Sequence, residues 1–435
     1  MLMTSTDKTV VSSFFIENQS YIGGQLMILT LSLIIVVSFV LSELLNKLRI
    51  PRIIGMILTG VLLGPYVLNL IAPEMLAISI DLRQIALVII LLRAGLSLDI
   101  NDLKRIGRPA ILMSFVPATF EIIGVLILGP MLLGLTLLES AILGSILAAV
   151  SPAVIVPRML HLMEQHQGTK KRIPQLIMAG ASVDDIYVVV LFTSLIQMAQ
   201  TNSVSIVGFL LLPISIVFGI GVGIVFGLLF VRFFKHFHMR DTAKVLLILS
   251  FSLFFLTIEH EYSHIVPYSG LLSALSMGVT ILAKYQTLAG RLVKKYEKIW
   301  VFTETLLFVF VGAAVDITII PNIGFMVVLL IFGSMIVRSI GVILSTMKFG
   351  LSFKEKMFVV GSYLPKATVQ ASIGSIPLSL GISNGNVMLA VAVMAILITA
   401  PLGALFIDLS KNVCLGLPLE PNAHHLNRKQ DDTNI

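Results

Sequence analysis

The sequence predicts an all-α polytopic membrane protein with about thirteen transmembrane helices, inverted repeats and two broken, crossing helices. Hydrophobic residues make up 57% of the 435 residues and charged residues 12%, about half the charged share of an average soluble domain. Long apolar runs recur along the chain, and basic residues collect in every second segment between those runs. Lipid is therefore the expected solvent, and soluble function classes are excluded.

The apolar runs define the predicted spans, because a helix needs about 20 mainly apolar residues to cross a bilayer. Residues 1–25 are expected to form a polar N-terminal lead without a cleaved signal, and residues 410–435 a short cytoplasmic tail. The predicted transmembrane domain is 26–409. Its thirteen runs, of which the third is short, are 26–44, 53–72, 83–98, 109–134, 138–157, 173–199, 204–231, 243–259, 265–283, 299–319, 324–346, 357–379 and 386–409.

The basic residues between the spans predict the orientation of the chain. Lys8 and Arg83 are the only ones in the N-terminus and the even-numbered loops, whereas the odd-numbered loops and the tail carry all the others outside the spans. Because basic residues gather on the cytoplasmic side, we expect an inner (plasma) membrane protein with its N-terminus outside and its C-terminus in the cytoplasm. The net charge of +7 then follows from orientation, and no nucleic-acid partner is expected.

Several ionisable residues fall near the middle of predicted spans, where each charge costs about 2.5–3.5 kcal/mol. They are Glu121 in the fourth span, Asp184 and Asp185 in the sixth, Arg338 in the eleventh and Lys366 in the twelfth. Adjacent helical residues point about 100° apart, so one aspartate can face a cavity while the other faces a partner. Two carboxylates this close repel each other when both are ionised, so the pair can trade protons for a cation. The alternative, a buried structural ion pair, needs only one acid.

Prolines predict breaks in two spans. Pro152 and Pro157 lie in the fifth span and Pro365 in the twelfth, and proline removes a backbone donor and disturbs the preceding turn. Such breaks are tolerated at membrane depth only beside protein or a water-filled cavity. The hydroxyls of Ser151 and Thr368 beside the breaks are therefore candidate cation ligands. Spans five and twelve are also equivalent in an inverted repeat of seven-span offset, since seven is odd.

At these residues the chain resembles the cation/proton antiporter superfamily, and within it the NHA-type Na+/H+ antiporters with paired aspartates. The resemblance covers about residues 50–409. The segments that carry it are 91–99 (LLRAGLSLD), 149–157 (AVSPAVIVP), the Asp184–Asp185 pair, 364–374 (LPKATVQASIG) and 396–403 (ILITAPLG).

The resemblance implies a homodimer in which a mobile core slides like an elevator against a static dimer domain. It places the core at about 109–199 and 324–409 and the dimer domain at about 26–98 and 204–283. Asp185 would be the principal Na+ and proton site, and Asp184 would pair with Lys366 in the cation-free or inward state.

The resemblance also pairs Arg338 with Glu121. We expect this second pair to be structural and not a transport site; a second proton route is the alternative.

The function expected from the residues and the resemblance is exchange of Na+ or Li+ for H+. K+/H+ exchange and Na+-coupled symport remain alternatives within transport. A channel is disfavoured, because carboxylates that exchange protons behind broken helices favour alternating access. No resident cofactor is expected, and the partners are membrane lipid, the transported monovalent cation and a second copy of the chain.

Two further patterns in the sequence resemble known motifs. The segment 260–264 (HEYSH) matches a zinc-protease signature, but residues 265–290 hold no His, Asp or Glu to complete a site. Neither this segment nor any predicted span offers a trusted catalytic arrangement, so no enzyme is expected. Gly219, Gly223 and Gly227 lie on one face of the seventh span, which suits close helix contact or an ordinary lipid-facing surface.

Overall fold

The computed structural model describes residues 5–48, 50–97, 106–200, 206–262 and 268–416, and these contain helices without strands. Two short 3-10 helices, Thr169–Lys171 and Ile317–Ile319, join the α-helices. The α-helices are α1 (Ser5–Lys47), α2 (Arg52–Leu63), α3 (Pro73–Ala77), α4 (Ser79–Ser97), α5 (Arg108–Met113), α6 (Val116–Leu133), α7 (Leu137–Ala148), α8 (Pro152–Glu164), α9 (Ile173–Gln200), α10 (Ile206–His236), α11 (Asp241–Tyr262), α12 (Gly270–Lys284), α13 (Gln286–Ala313), α14 (Ile320–Thr346), α15 (Phe353–Ser362), α16 (Thr368–Ile373), α17 (Ile376–Ser379) and α18 (Gly385–Leu415).

Each predicted span overlaps a helix or an interrupted pair of helices, and the all-α membrane fold class is confirmed. Within the described residues, eight helical segments are long and apolar enough to cross a membrane. Helices α2 and α12 are apolar but shorter. The total of thirteen crossings therefore stays a prediction.

The first helix differs from its predicted bounds. Helix α1 begins at Ser5, inside the segment expected to be a polar lead, instead of near residue 26. The chain has no proline before Pro51, so no residue in this stretch removes a backbone donor from the helix.

Both spans in which the prolines predict a break are interrupted. Helix α7 ends at Ala148 and α8 starts at Pro152, which occupies the first helical turn, where its missing N–H costs nothing. Likewise α15 ends at Ser362 and α16 starts at Thr368, with Pro365 in the extended stretch between them. Each break frees backbone N–H and C=O groups in the interior of the protein.

Pro157 does not take part in a break. Helix α8 continues through it to Glu164, so its predicted role as a broken-helix residue is corrected. Its missing N–H removes one bond to the carbonyl of Ala153, and both residues line a cavity where water can reach the helix. Helix α8 therefore remains continuous, because the carbonyl that Pro157 leaves without a donor can be hydrated.

The helices pack as two bundles. The first bundle consists of α1–α4 and α10–α13, and the second consists of α5–α9 and α14–α18. Contacts between the bundles are few and involve α16 with α4 and α13, and α9 with α10. The assignment of the mobile core to 109–199 and 324–409, and of the dimer domain to 26–98 and 204–283, stays a prediction.

The glycine face of α10 packs within the first bundle. A Cβ on Gly219 would lie 2.7 Å from the carbonyl oxygen of Ser269, and one on Gly227 would lie 2.6 Å from Cβ of Thr280. A Cβ on Gly221, on another face, would meet nothing within 4 Å. The small residues thus permit close contact between α10 and α12 of the same chain.

Candidate functional site

The two aspartates lie in the middle of α9 and inside the protein. Asp184 is fully buried and Asp185 is 8% exposed. Neither faces the acyl chains, where an isolated carboxylate would be too costly. Their surroundings in the second bundle therefore decide what they bind.

Asp184 faces the break between α7 and α8. Its Oδ2 accepts a hydrogen bond from the backbone N–H of Val150 at 3.2 Å, a donor that the break leaves free. The same oxygen lies 3.1 Å from Nη2 of Arg338. The broken span and the charged pair of α9 are thus parts of one site.

Arg338, in α14, bridges two carboxylates. Its Nη1 lies 2.7 Å from Oε2 of Glu121, as expected for that pair, and also donates to the carbonyl of Ala148. The guanidinium lies 5.6 Å from the ring centroid of Tyr363. The planar fork of the guanidinium directs separate N–H donors to the two acids in a fixed geometry.

Lys366 has a different partner from the one implied by the resemblance. Its Nζ lies 2.7 Å from Oε1 of Glu121 and donates to the carbonyl of Leu147. The expected Asp184–Lys366 ion pair is therefore absent from the described side chains. Arg338 contacts Asp184, whereas Lys366 contacts both carboxylate oxygens of Glu121, of which Oε2 is shared with Arg338.

One of the three acids in this cluster has no basic partner in the part of the chain that the structure describes. Arg338 and Lys366 supply two positive charges, and Glu121 and Asp184 supply the two matching carboxylates. Asp185 has no ion-pair partner among the described residues, and its Oδ1 is buried without a hydrogen bond there. The unmatched charge must be neutralised by something the protein binds, a proton or a cation.

A set of buried oxygens around the breaks lacks hydrogen-bond partners within the described part of the chain. Hard cations are bound by carboxylate, hydroxyl and amide oxygens of this kind. Ser151 precedes α8 and Thr368 starts α16, so both predicted ligands stand at the beginning of a half-helix. The unpartnered atoms are Oγ of Ser151, Oγ1 of Thr368, Oε1 of Gln370, and Oδ1 of both Asp184 and Asp185.

The two breaks are bonded to each other. The N–H of Ser151 donates to the carbonyl of Pro365 at 2.9 Å. Nε2 of Gln370 donates to the carbonyl of Ala149 at 2.7 Å, across the same junction. The N–H of Lys366 donates to Oγ1 of Thr399 at 3.0 Å, which ties the second break to α18.

Sequence reasoning had not singled out Gln370 and Thr399 as site residues. Gln370 is fully buried in the short half-helix α16, four residues after Lys366 and close to the break, and that placement is the signal that could have identified it. Thr399 gives a weaker signal, because threonine is common in membrane helices.

A cavity of about 1260 Å³ opens between the bundles. Its walls come from α1, α2 and α13 on one side and from α8 and α18 on the other, and it reaches Ala153 and Val154 in the first turn of α8. Arg52, Arg158 and Lys298 line it, so it opens on the side of the basic loops. This funnel therefore leads from that side toward the residues next to Ser151.

The HEYSH segment lies partly outside the described residues, since 263–267 are not among them. Among the described residues there is no group of three or more His, Cys, Asp or Glu side chains that could hold a metal ion.

Comparison with known proteins gives consistent matches over most of the chain. A family model described as "Sodium/hydrogen exchanger, transmembrane" matches residues 31–408. The human protein named sodium/hydrogen exchanger 9B2 is 33% identical over 395 residues, which are 88% of this chain and 72% of that protein. Human sodium/hydrogen exchanger 9B1 is 29% identical over 376 residues, covering 83% of this chain and 72% of the relative.

A solved structure has the same fold. It is the sodium proton antiporter MjNhaP1 from Methanocaldococcus jannaschii at pH 8, with a TM-score of 0.78 and 20% sequence identity. The match covers 91% of this chain and 100% of the other. At this identity the match speaks for the fold alone.

Proposed function

The chain belongs to the sodium/hydrogen exchanger family, and on that premise we propose that its buried aspartates carry the exchange of Na+ or Li+ for H+. It is an integral membrane transporter, and its relatives are named as exchangers. The observation that carries the assignment to residues is the charge balance of the cluster. Asp185 is the one acid there that neither Arg338 nor Lys366 neutralises.

In this mechanism a cation and protons compete for Asp185. A bound cation draws on the carboxylate oxygens and on the hydroxyls of Ser151 and Thr368, and protonation removes the charge that holds it. Asp184 adjusts the competition through its bonds to Arg338 and to the N–H of Val150. Lys366 acts through Glu121, its partner, instead of through Asp184.

The second bundle changes the side that it faces only when the site is neutral. Moving an unmatched carboxylate across the apolar contact between the bundles would cost about 2.5–3.5 kcal/mol, the value that membrane-insertion scales give for a charge at the centre of a helix. Either a cation or a proton removes that cost, so the two ions move in opposite directions. Alternating access then follows from an elevator-type displacement of 109–199 and 324–409 against the other helices in a homodimer.

The orientation we propose has the funnel open to the cytoplasm in an inner (plasma) membrane. The basic loops that flank the funnel support this, since the cytoplasmic side carries the excess of Lys and Arg. The N-terminus would then lie outside and the C-terminus inside.

Exchange in liposomes tests the assignment. The purified protein is reconstituted with a pH-sensitive dye inside, and Na+, Li+ or K+ is added outside. Wild-type protein is expected to shift the internal pH with Na+ or Li+. Asp185→Asn is expected to lose the response, because a neutral amide neither takes up a proton nor carries the negative charge that attracts a cation. Glu164→Gln, at a side chain 77% exposed, is the matched control and retains the response. A wild-type response in Asp185→Asn would refute the role of Asp185, and a response to K+ alone would favour K+/H+ exchange.

A further inference from the structure

A second, smaller cavity lies at the opposite end of the molecule from the funnel. It has a volume of about 170 Å³ and lies between α4, α11 and α12 of the first bundle and α9 and α17 of the second. Its mouth holds the exposed side chains of Gln84 and Gln200, and its floor holds the buried Leu87 and Phe192. We call it the distal cavity.

One carboxylate faces this cavity. Glu259 lines it together with Thr193, Gln197 and the two glutamines of the mouth, and no basic side chain among the described residues lines it. Oε2 of Glu259 accepts from the backbone N–H of Gly270 at 2.9 Å, at the start of α12. A helix N-terminus supplies only about half an elementary positive charge, so this carboxylate is incompletely neutralised.

The distal cavity lies on the same line as the aspartates. Asp185 and Phe192 are both on α9, and seven residues place them on the same helix face about 10 Å apart. Among the residues of α9 that line the cavity, Phe192 is therefore the one nearest to Asp185 along the helix. A displacement of α9 along α4 would move Phe192 away from Leu87 and connect the cavity with the space around Asp185.

We propose that the distal cavity is a second monovalent-cation site, in which Glu259 binds a partly hydrated Na+ or Li+ on the side opposite the funnel. The proposal rests on the proposed function. The volume accommodates a cation with part of its water shell, and the amide and hydroxyl oxygens of Gln84, Gln197 and Thr193 can replace some of that water. The site raises the local cation concentration at one face only and so sets the apparent affinity from that face.

Side-specific kinetics test it. In oriented proteoliposomes the apparent KM for Na+ is measured separately from the funnel side and from the distal side. For Glu259→Gln we expect the distal-side KM to rise fivefold or more, while the funnel-side KM changes less than twofold. Glu261→Gln removes an exposed acid two residues further along α11 and is the matched control, with both KM values unchanged. A Glu259→Gln protein with both KM values unchanged, or both raised equally, would overturn the proposal.

A second readout does not depend on transport. In Asp184→Asn/Asp185→Asn protein, infrared difference spectra with Na+ against choline are expected to retain a shift of a carboxylate band. Adding Glu259→Gln should remove that shift. No shift in the double variant, or a shift that survives Glu259→Gln, contradicts the proposal. If wild-type protein does not exchange cations, the proposed function fails and this spectrum alone decides the distal site.

Discussion

At the residue scale, the molecule solves the problem of several charges in a membrane interior by sharing one acid between two bases. Oε2 of Glu121 accepts hydrogen bonds from both Arg338 and Lys366, its Oε1 also lies 2.7 Å from Nζ of Lys366, and all three side chains are at most 1% exposed. Carbonyls of Leu147 and Ala148, left free at the break after α7, take further donors from the same two bases. Glu121 thus pairs with both bases, and Asp185 has no ion-pair partner among the described residues.

Loss of Glu121 should therefore affect stability first. Glu121→Gln leaves two buried bases with one ionised partner, Asp184, and removal of one partner from a buried ion pair costs about 3–5 kcal/mol. We expect a clear fall in melting temperature of the protein in detergent, measured by thermal unfolding, with Glu164→Gln as an exposed control. An unchanged melting temperature with lost exchange would instead place Glu121 on a proton route.

Residue identities could be read from the sequence, but their partners could not. Asp184, Asp185, Lys366 and Arg338 stand out because charge is rare in apolar runs. Which base meets which acid depends on how α6, α9 and α14 pack, and spacing along one helix says nothing of that. For this reason the sequence could not show that Lys366 contacts Glu121 in this structure, and Gln370 was missed because an amide carries no charge to mark it.

At the element scale, the prolines predicted which spans are broken but not which of the prolines lie at the breaks. Pro152 and Pro365 stand at the start of a helix and in an extended stretch, whereas Pro157 lies inside α8 beside the funnel. The same residue type thus has different effects according to what surrounds the freed carbonyl. The start of α1 at Ser5 has a similar origin, since polar composition alone does not end a helix.

The contact between α10 and α12 gives a paired test at this scale. Gly227→Ala places a Cβ against Thr280, and overpacking of this kind costs about 1–3 kcal/mol. Gly221→Ala, on the open face of the same helix, should be neutral or stabilising by up to about 1 kcal/mol, because alanine favours helix over glycine. Melting temperatures of the two variants should therefore move apart. Equal destabilisation would mean that Gly221 also packs against a partner.

At the scale of the whole molecule, the funnel makes the structure one-sided. It reaches the first turn of α8 from the side of the basic loops, whereas the distal cavity has the buried Leu87 and Phe192 as its floor. The sequence predicted the membrane fold and the asymmetry of charge. It could not predict which side is open, because that depends on the position of one bundle relative to the other.

Accessibility of Ala153 tests the open side. Ala153 is exposed in the funnel, so in a Cys414→Ser background an Ala153→Cys protein should react with a bulky membrane-impermeant thiol reagent. We expect inhibition of exchange when the reagent is applied from the funnel side and little when it is applied from the other side. Cys414→Ser alone should keep its rate under both treatments. Equal inhibition from both sides would contradict a funnel open to one face.

The bonds of the buried cluster have one more consequence. In the described part of the chain, each ion pair and backbone bond around Glu121, Asp184, Arg338 and Lys366 joins elements of the second bundle to one another. The proposed displacement of one bundle against the other breaks none of these bonds. Resistance to it would come from the apolar contacts between the bundles, from polar contacts such as the hydrogen bond of Gln197 to the carbonyl of Tyr268, and from lipid that must adapt to a shifted protein surface. Turnover should then respond to acyl-chain length, because a thicker or thinner bilayer changes the hydrophobic mismatch of the displaced bundle.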